Sequence, residues 1–200
     1  MRAVRISWAL LPLVLSACAH TSMSSMVAPD VRGHVFHHVL VVGNFADLGI
    51  RRDAEYRLAS RSVSGHYEFV PSVDLFFPGR QYSPEEMRSI LRQHAIDATL
   101  VITPGQSGAS SGYVPPTYTS SCSAWTSAGC TQVTTSQSGG FSYSRPWQQF
   151  SATLYDATSG SSVWVASAGT GGNAFAHALT LVRSMVDKTA DRLAKDGLVH

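Results

Sequence analysis

Long apolar runs are missing from this 200-residue chain. The nearest approach, Ile6 to Leu15, is too short for a transmembrane helix, which needs about 20 apolar residues. Charge is also scarce: 15 basic and 13 acidic residues in all. Arg2 and Arg5 fall within the first 17 residues, which carry no acid, so the rest of the chain balances at 13 against 13. A neutral domain lacks the basic footprint of a nucleic-acid binder. Between Thr99 and Thr153 the only charged side chain is Arg145. Cysteine occurs three times, at Cys18, Cys122 and Cys130. No motif brings an acid, a base and a nucleophile together, and no cofactor is implied.

What is present begins with the amino terminus. Two arginines, a short apolar run and small residues make a secretory signal over 1–17. Leu15-Ser16-Ala17-Cys18 resembles the lipobox of bacterial lipoproteins. That resemblance implies cleavage before Cys18 and acylation of its Sγ and amine. Several acyl chains hold a protein on a membrane where one binds only marginally. Ala19, rather than Asp, follows the cysteine, which by analogy favours the outer membrane, facing the periplasm. Residues 18–33 are Ser/Met/Ala-rich and read as a flexible lipidated tether. Cys122 and Cys130 are then left as a pair in an oxidising compartment, and a disulfide between them is expected.

Residues 34–200 read as one α/β domain. "HHVLVVGNF" (37–45) suits a buried strand. In the following segment Ile50, Ala54 and Leu58 share a helical face. "GHYEFVPS" (65–72) is a second strand. "SPEEMRSILRQHA" has Ser83 as cap, Pro84 in the first turn and Glu86 closing a capping box, with Met87, Ile90 and Leu91 as its buried stripe. "DATLVITP" (97–104) is a third strand. Phe150, Ala152 and Leu154 alternate with polar residues, and a turn near 156–160 makes a hairpin with the strand that follows. The last helix is expected from about Asn173 to Ala194, with Phe175, Leu179, Val182, Val186 and Leu193 on one stripe. The order β-α-β-α-β-β-β-α predicts a five-stranded mixed sheet flanked by about three helices. An uncharged Ser/Thr/Gly insertion at about 105–146 separates strands three and four as a projecting arm.

The stretches "HVLVVGNFADLGIRRDAEYRL", "FVPSVDLFFP", "YSPEEMRSILRQHAIDATLVIT" and "ATLYDATSGSSVWVASA" resemble those of small uncharacterised bacterial lipoproteins. Their domain is similar to the amino-terminal module of TolB and to curli-secretion lipoproteins. The resemblance covers 36–199 without the insertion and implies a membrane-anchored, non-enzymatic binding or assembly module. The partner it implies is an envelope protein or cell-wall component, with self-association a further expectation.

Four local patterns could carry chemistry. "GASSG" (108–112) fits Gly-x-Ser-x-Gly with Ser110 as a hydrolase nucleophile, but lacks the strand before and helix after that an elbow requires. "GTGGNA" (169–174) fits a phosphate loop, but no strand follows to complete a dinucleotide unit. His34, His37 and His38 alternate across a strand, short of the three or four converging ligands of a zinc site. Leu75, Phe76 and Phe77 form either a partner surface or a cap on the sheet edge, with at least two expected to be buried. On the arm, Tyr113, Tyr118 and Trp125 sit among Ser, Gly and Thr. That composition suits protein or sugar recognition; the alternative is that the rings pack the arm onto its own domain.

Overall fold

The computed structural model describes the backbone of residues 18–126 and 129–200, and the side chains of these residues outside 120–134. Six strands form one mixed sheet. β2 (His38–Gly43), β3 (Glu68–Pro71) and β4 (Ala98–Val114) pair in parallel, with β2 in the middle. β7 (Phe141–Asp156), β8 (Ser162–Gly172) and β1 (Ala19–Val27) add on antiparallel to one another, giving the order β3-β2-β4-β7-β8-β1. Helices α1 (Leu48–Ala59) and α4 (Ala178–Lys195) pack on one face. Between β3 and β4 run α2 (Ser72–Leu75), a single turn, and α3 (Pro84–Gln93). The β3-to-β4 crossover passes β2 in the opposite sense to β2-to-β3, so right-handed connections place α3 on the other face from α1.

The core lies between the sheet and the α1/α4 layer. Val39, Val41, Leu100, Ile102, Ala152 and Leu154 alternate inward from β2, β4 and β7, as the period of two demands. Ala54 and Leu58 meet them from α1, and Val182, Met185, Val186 and Leu193 from α4. Phe36 closes one end of the core, its amide donating to the Leu198 carbonyl at 2.8 Å. Inside this layer Glu55 is fully buried. It accepts from the Gly43 and Val73 amides, Ser72 Oγ and Arg51 Nε, all within 2.9 Å. A buried carboxylate is tolerated where its lone pairs are filled in this way.

The sheet has six strands, not five. The sixth is β1, formed by residues expected to be a tether. Its alternation was hidden because Ser and Thr occupy inward positions. Thr21 Oγ1 bonds Thr170 Oγ1 and Ser184 Oγ, each at 2.8 Å, so polar groups are buried with partners rather than replaced by apolar ones. Met23 and Val27 supply the apolar part. Ser25 completes a clamp with the C-terminus: Asp196 accepts from Ser25 Oγ, from Trp164 Nε1 at 2.8 Å and from Arg192.

Two helices depart from expectation. The last begins at Ala178, five residues after Asn173. Asn173 instead folds the Gly-rich segment, its Oδ1 accepting from the Phe175 amide at 3.0 Å. His177 is the N-cap, its amide accepted by Thr180 Oγ1, and Phe175 is left 56% exposed, off the stripe. In α3 the capping box of Ser83 and Glu86 is formed. Its stripe is not buried, however: Met87 is exposed and Ile90 and Leu91 are half-buried. Good local chemistry forms a helix without requiring a full neighbour to bury it.

The insertion is regular. Past a bulge between Pro104 and Ser107, and past the last β7–β8 pair at Trp147, β4 and β7 continue beyond the sheet as a two-stranded ribbon to Val114 and Phe141. A second antiparallel pair, β5 (Thr117–Thr126) and β6 (Gly129–Ser138), extends from its end. Pro115-Pro116 and Gly139-Gly140 form the junction. Gly139 has φ +86°, and a Cβ there would sit 2.3 Å from the Pro115 carbonyl oxygen, so only glycine fits.

Candidate functional site

β1 brings Cys18 to the end of the sheet from which the arm leaves. Ala19 pairs with Gly172 and His20 with Gly171, and Gly171 pairs in turn with Trp147. The Cys18 carbonyl accepts from the Asn173 amide at 3.1 Å. Cys18 is exposed, and no slack separates it from the folded body. It lines an open groove of about 660 Å³ that also receives His20, Arg57, Arg183 and Lys188.

Beside the groove, ion pairs join α1 and the turn after it to α4. Arg183 Nε donates to Asp53 at 2.9 Å, Arg57 Nε to Asp187 at 2.9 Å, and Arg61 pairs with Asp191. The hydrogen bond from Arg183 holds the Asp53 carboxyl below the usual carboxylate range, outweighing partial burial. At the far end of β1, burial pushes Asp196 upward. The hydrogen bonds from Ser25 and Trp164 and the charge of Arg192 outweigh it and hold that carboxyl low.

The base of the arm carries a row of large side chains over a row of small ones. Gly108 faces Trp147, Ser110 faces Arg145, and Gly112 faces Tyr143 across the ribbon. A Cβ on Gly108 would lie 2.8 Å from the Trp147 ring, and one on Gly112 2.5 Å from Tyr143. The rings therefore lie over bare backbone. The Arg145 guanidinium stacks 4.7 Å from the Tyr143 centroid, a cation–π contact. Among the described residues no ion pair involves Arg145. "GASSG" is thus a run of strand whose Gly108, Ser110 and Gly112 make the small-residue row. Ser110 sits in mid-strand, its Oγ donating weakly to the Arg145 carbonyl at 3.5 Å, without the strand–turn–helix setting of a nucleophile elbow. This row was legible as two matched alternations, Gly-x-Ser-x-Gly and Tyr-x-Arg-x-Trp, but the register that superimposes them was not.

The other candidates lie apart. Tyr113 and Tyr118 are 59% and 63% exposed on the arm. The Trp125 side chain lies outside the described residues. So do those of Cys122 and Cys130; their backbones pair with Val133 and Trp125 respectively rather than with each other. Leu75 and Phe76 are half-buried and Phe77 is 73% exposed. Tyr82 holds this loop, its ring edge-on to Phe76 and its hydroxyl accepting from the Phe77 amide. His34 packs edge-on against Phe36, and His37 Nδ1 lies 2.8 Å from the His66 carbonyl. Among the described residues no three His, Cys, Asp or Glu side chains converge on a metal position.

No family model and no curated protein matches this chain. Solved structures do. One is the PelC dodecamer from Paraburkholderia phytofirmans, 12% identical, with TM-score 0.45 over 89% of this chain and 98% of that one. Another is lipoprotein GNA1162 from Neisseria meningitidis, 16% identical, with TM-score 0.41 over 80% of this chain and 99% of that one. The chain is therefore similar, at low identity, to bacterial proteins that include a lipoprotein.

Proposed function

We propose that this is a lipid-anchored envelope protein that works by binding rather than by catalysis. It would be acylated on Cys18, held on a membrane facing the periplasm, and would present its arm to an envelope partner. The observation that carries the reading is the position of Cys18. The residue that ends Leu15-Ser16-Ala17-Cys18 is exposed immediately before β1, at the edge of the folded body. The binding part rests on the arm, which the core does not need and which exposes Tyr113, Tyr118 and Phe141; loops a scaffold does not require are where binding residues concentrate. Mass spectrometry of the protein from cell membranes tests the anchor. The expected result is a chain that starts at acylated Cys18, and a Cys18→Ser variant that is unprocessed or soluble. An unmodified mature terminus elsewhere refutes it.

A further inference from the structure

The register of the sheet fixes how the arm stands relative to the anchor. Trp147, Gly171 and His20 lie in one line across β7, β8 and β1. Continued two residues past its last β7–β8 pair, this register sets Arg145 on β7 level with Cys18 beyond β1. The two are separated by two strand spacings, about 10 Å. The arm continues past this level in the direction away from the body.

The chemistry changes at the same level. Arg145 is the last charged residue on the outgoing β7 side, and residues 110–144 contain no Asp, Glu, Lys or Arg. Tyr143, Arg145 and Trp147 form the row at the boundary. Beyond it Tyr113, Phe141 and Tyr118 are each more than half exposed. Aromatic rings flanking a membrane–water boundary, with a cation near lipid phosphate, are the side chains that interfaces favour.

We propose that the arm is a lipid-contact element. With Cys18 acylated, the Tyr143–Arg145–Trp147 row lies at the headgroup level of the same leaflet, and the uncharged ribbon beyond lies in the interfacial layer. The ribbon's open backbone edges oppose full burial in hydrocarbon, which keeps a single copy's arm in that layer rather than across it. The docked β1 makes this geometry obligatory, since an anchor without slack cannot hold the body at a distance. The inference rests on the acylation proposed above.

Intact acylated protein is reconstituted in vesicles of phosphatidylethanolamine and phosphatidylglycerol whose acyl chains carry bromine either near the headgroup or near the bilayer centre. Trp164 is buried in the core and does not sense the quencher. A Trp125→Phe variant therefore reports Trp147, and a Trp147→Phe variant reports Trp125. The expected result is a blue shift and loss of emission for both reporters, larger with shallow bromines than with deep ones, and a smaller loss in Arg145→Glu. If the protein is acylated and floats with the vesicles, yet neither reporter is quenched, the lipid-contact proposal is wrong and the anchor stands. If Cys18 carries no acyl chain, both fall. Emission that changes with protein density but not with bromine position assigns the ribbon to a second copy and overturns the proposal.

Discussion

Replacing Asp196 by Asn tests whether β1 is as firmly docked as the structure implies. The carboxylate accepts from Ser25 Oγ and Trp164 Nε1 on one oxygen and pairs with Arg192, which itself donates to Ser25 at 2.6 Å. Its side chain is 12% exposed, so water replaces little of this. Asn keeps the shape and one acceptor oxygen but loses the charge. Hydrogen bonds to a charged group contribute about 1.5–3 kcal/mol, and Arg192, 28% exposed, recovers part of its loss in water. The expected cost is about 2 kcal/mol near neutral pH, read from urea unfolding followed by Trp164 fluorescence. Amides of β1 should exchange faster than those of β4. The difference must also depend on pH. Asp196 is held below its unfolded pKa, so its contribution is fully present above the ordinary carboxylate range and is lost as pH falls through the lower folded value. Parent and variant should converge in acid. A cost below about 0.5 kcal/mol, or one that is the same at neutral and acid pH, refutes the clamp.

Three further outcomes are expected. Glu55→Ala removes the acceptor of two amides, a hydroxyl and Arg51 from a fully buried site and should cost about 3–5 kcal/mol in the same unfolding assay. Gly112→Ala should lift the Tyr143 ring off the ribbon while leaving global stability within about 0.5 kcal/mol, visible as a changed Tyr143 environment in NMR without a shift in Tm. Non-reducing peptide mapping should find Cys122 linked to Cys130. Because the backbone register sets each cysteine opposite another residue, and bridged Cα atoms lie about 6 Å apart, the bridge requires the β5–β6 tip to adopt a different register from the one described. A native protein with two thiols would leave the tip as it stands.

Much of the α/β core was legible because its signals are local. The capping box at Ser83, the turn at Asp156–Gly160 and the apolar alternation of β2, β4 and β7 are each written within a dozen residues. β1 was illegible because two of its inward side chains, alternating with Met23 and Val27, are Thr21 and Ser25, whose partners lie 149 and 171 residues away. The start of α4 was misplaced because an Asx turn at Asn173 and an N-cap at His177 compete for the same stretch. At the arm, composition singled out Tyr113, Tyr118 and Trp125 as candidates for contact. It could not show that Tyr143, Arg145 and Trp147 lie over Gly112, Ser110 and Gly108, since that depends on which residue of β4 lies opposite each.

The ion pairs joining α1 and the turn after it to α4 have a consequence for how the chain closes. Each joins residues 130 apart in sequence, at Asp53–Arg183, Arg57–Asp187 and Arg61–Asp191. The helices thus run the same way, with rungs one turn apart. Along α1 and into the turn that ends it the signs read minus, plus, plus; along α4 they read plus, minus, minus. Slide α4 one turn in one direction and Asp53 meets Asp187; slide it the other way and Arg57 meets Arg183. Either displacement turns three attractions into one attraction and one repulsion. Exposed pairs of this kind each add less than about 1 kcal/mol. Set in this order they act as a key, telling the last helix of the chain where along the first to stop.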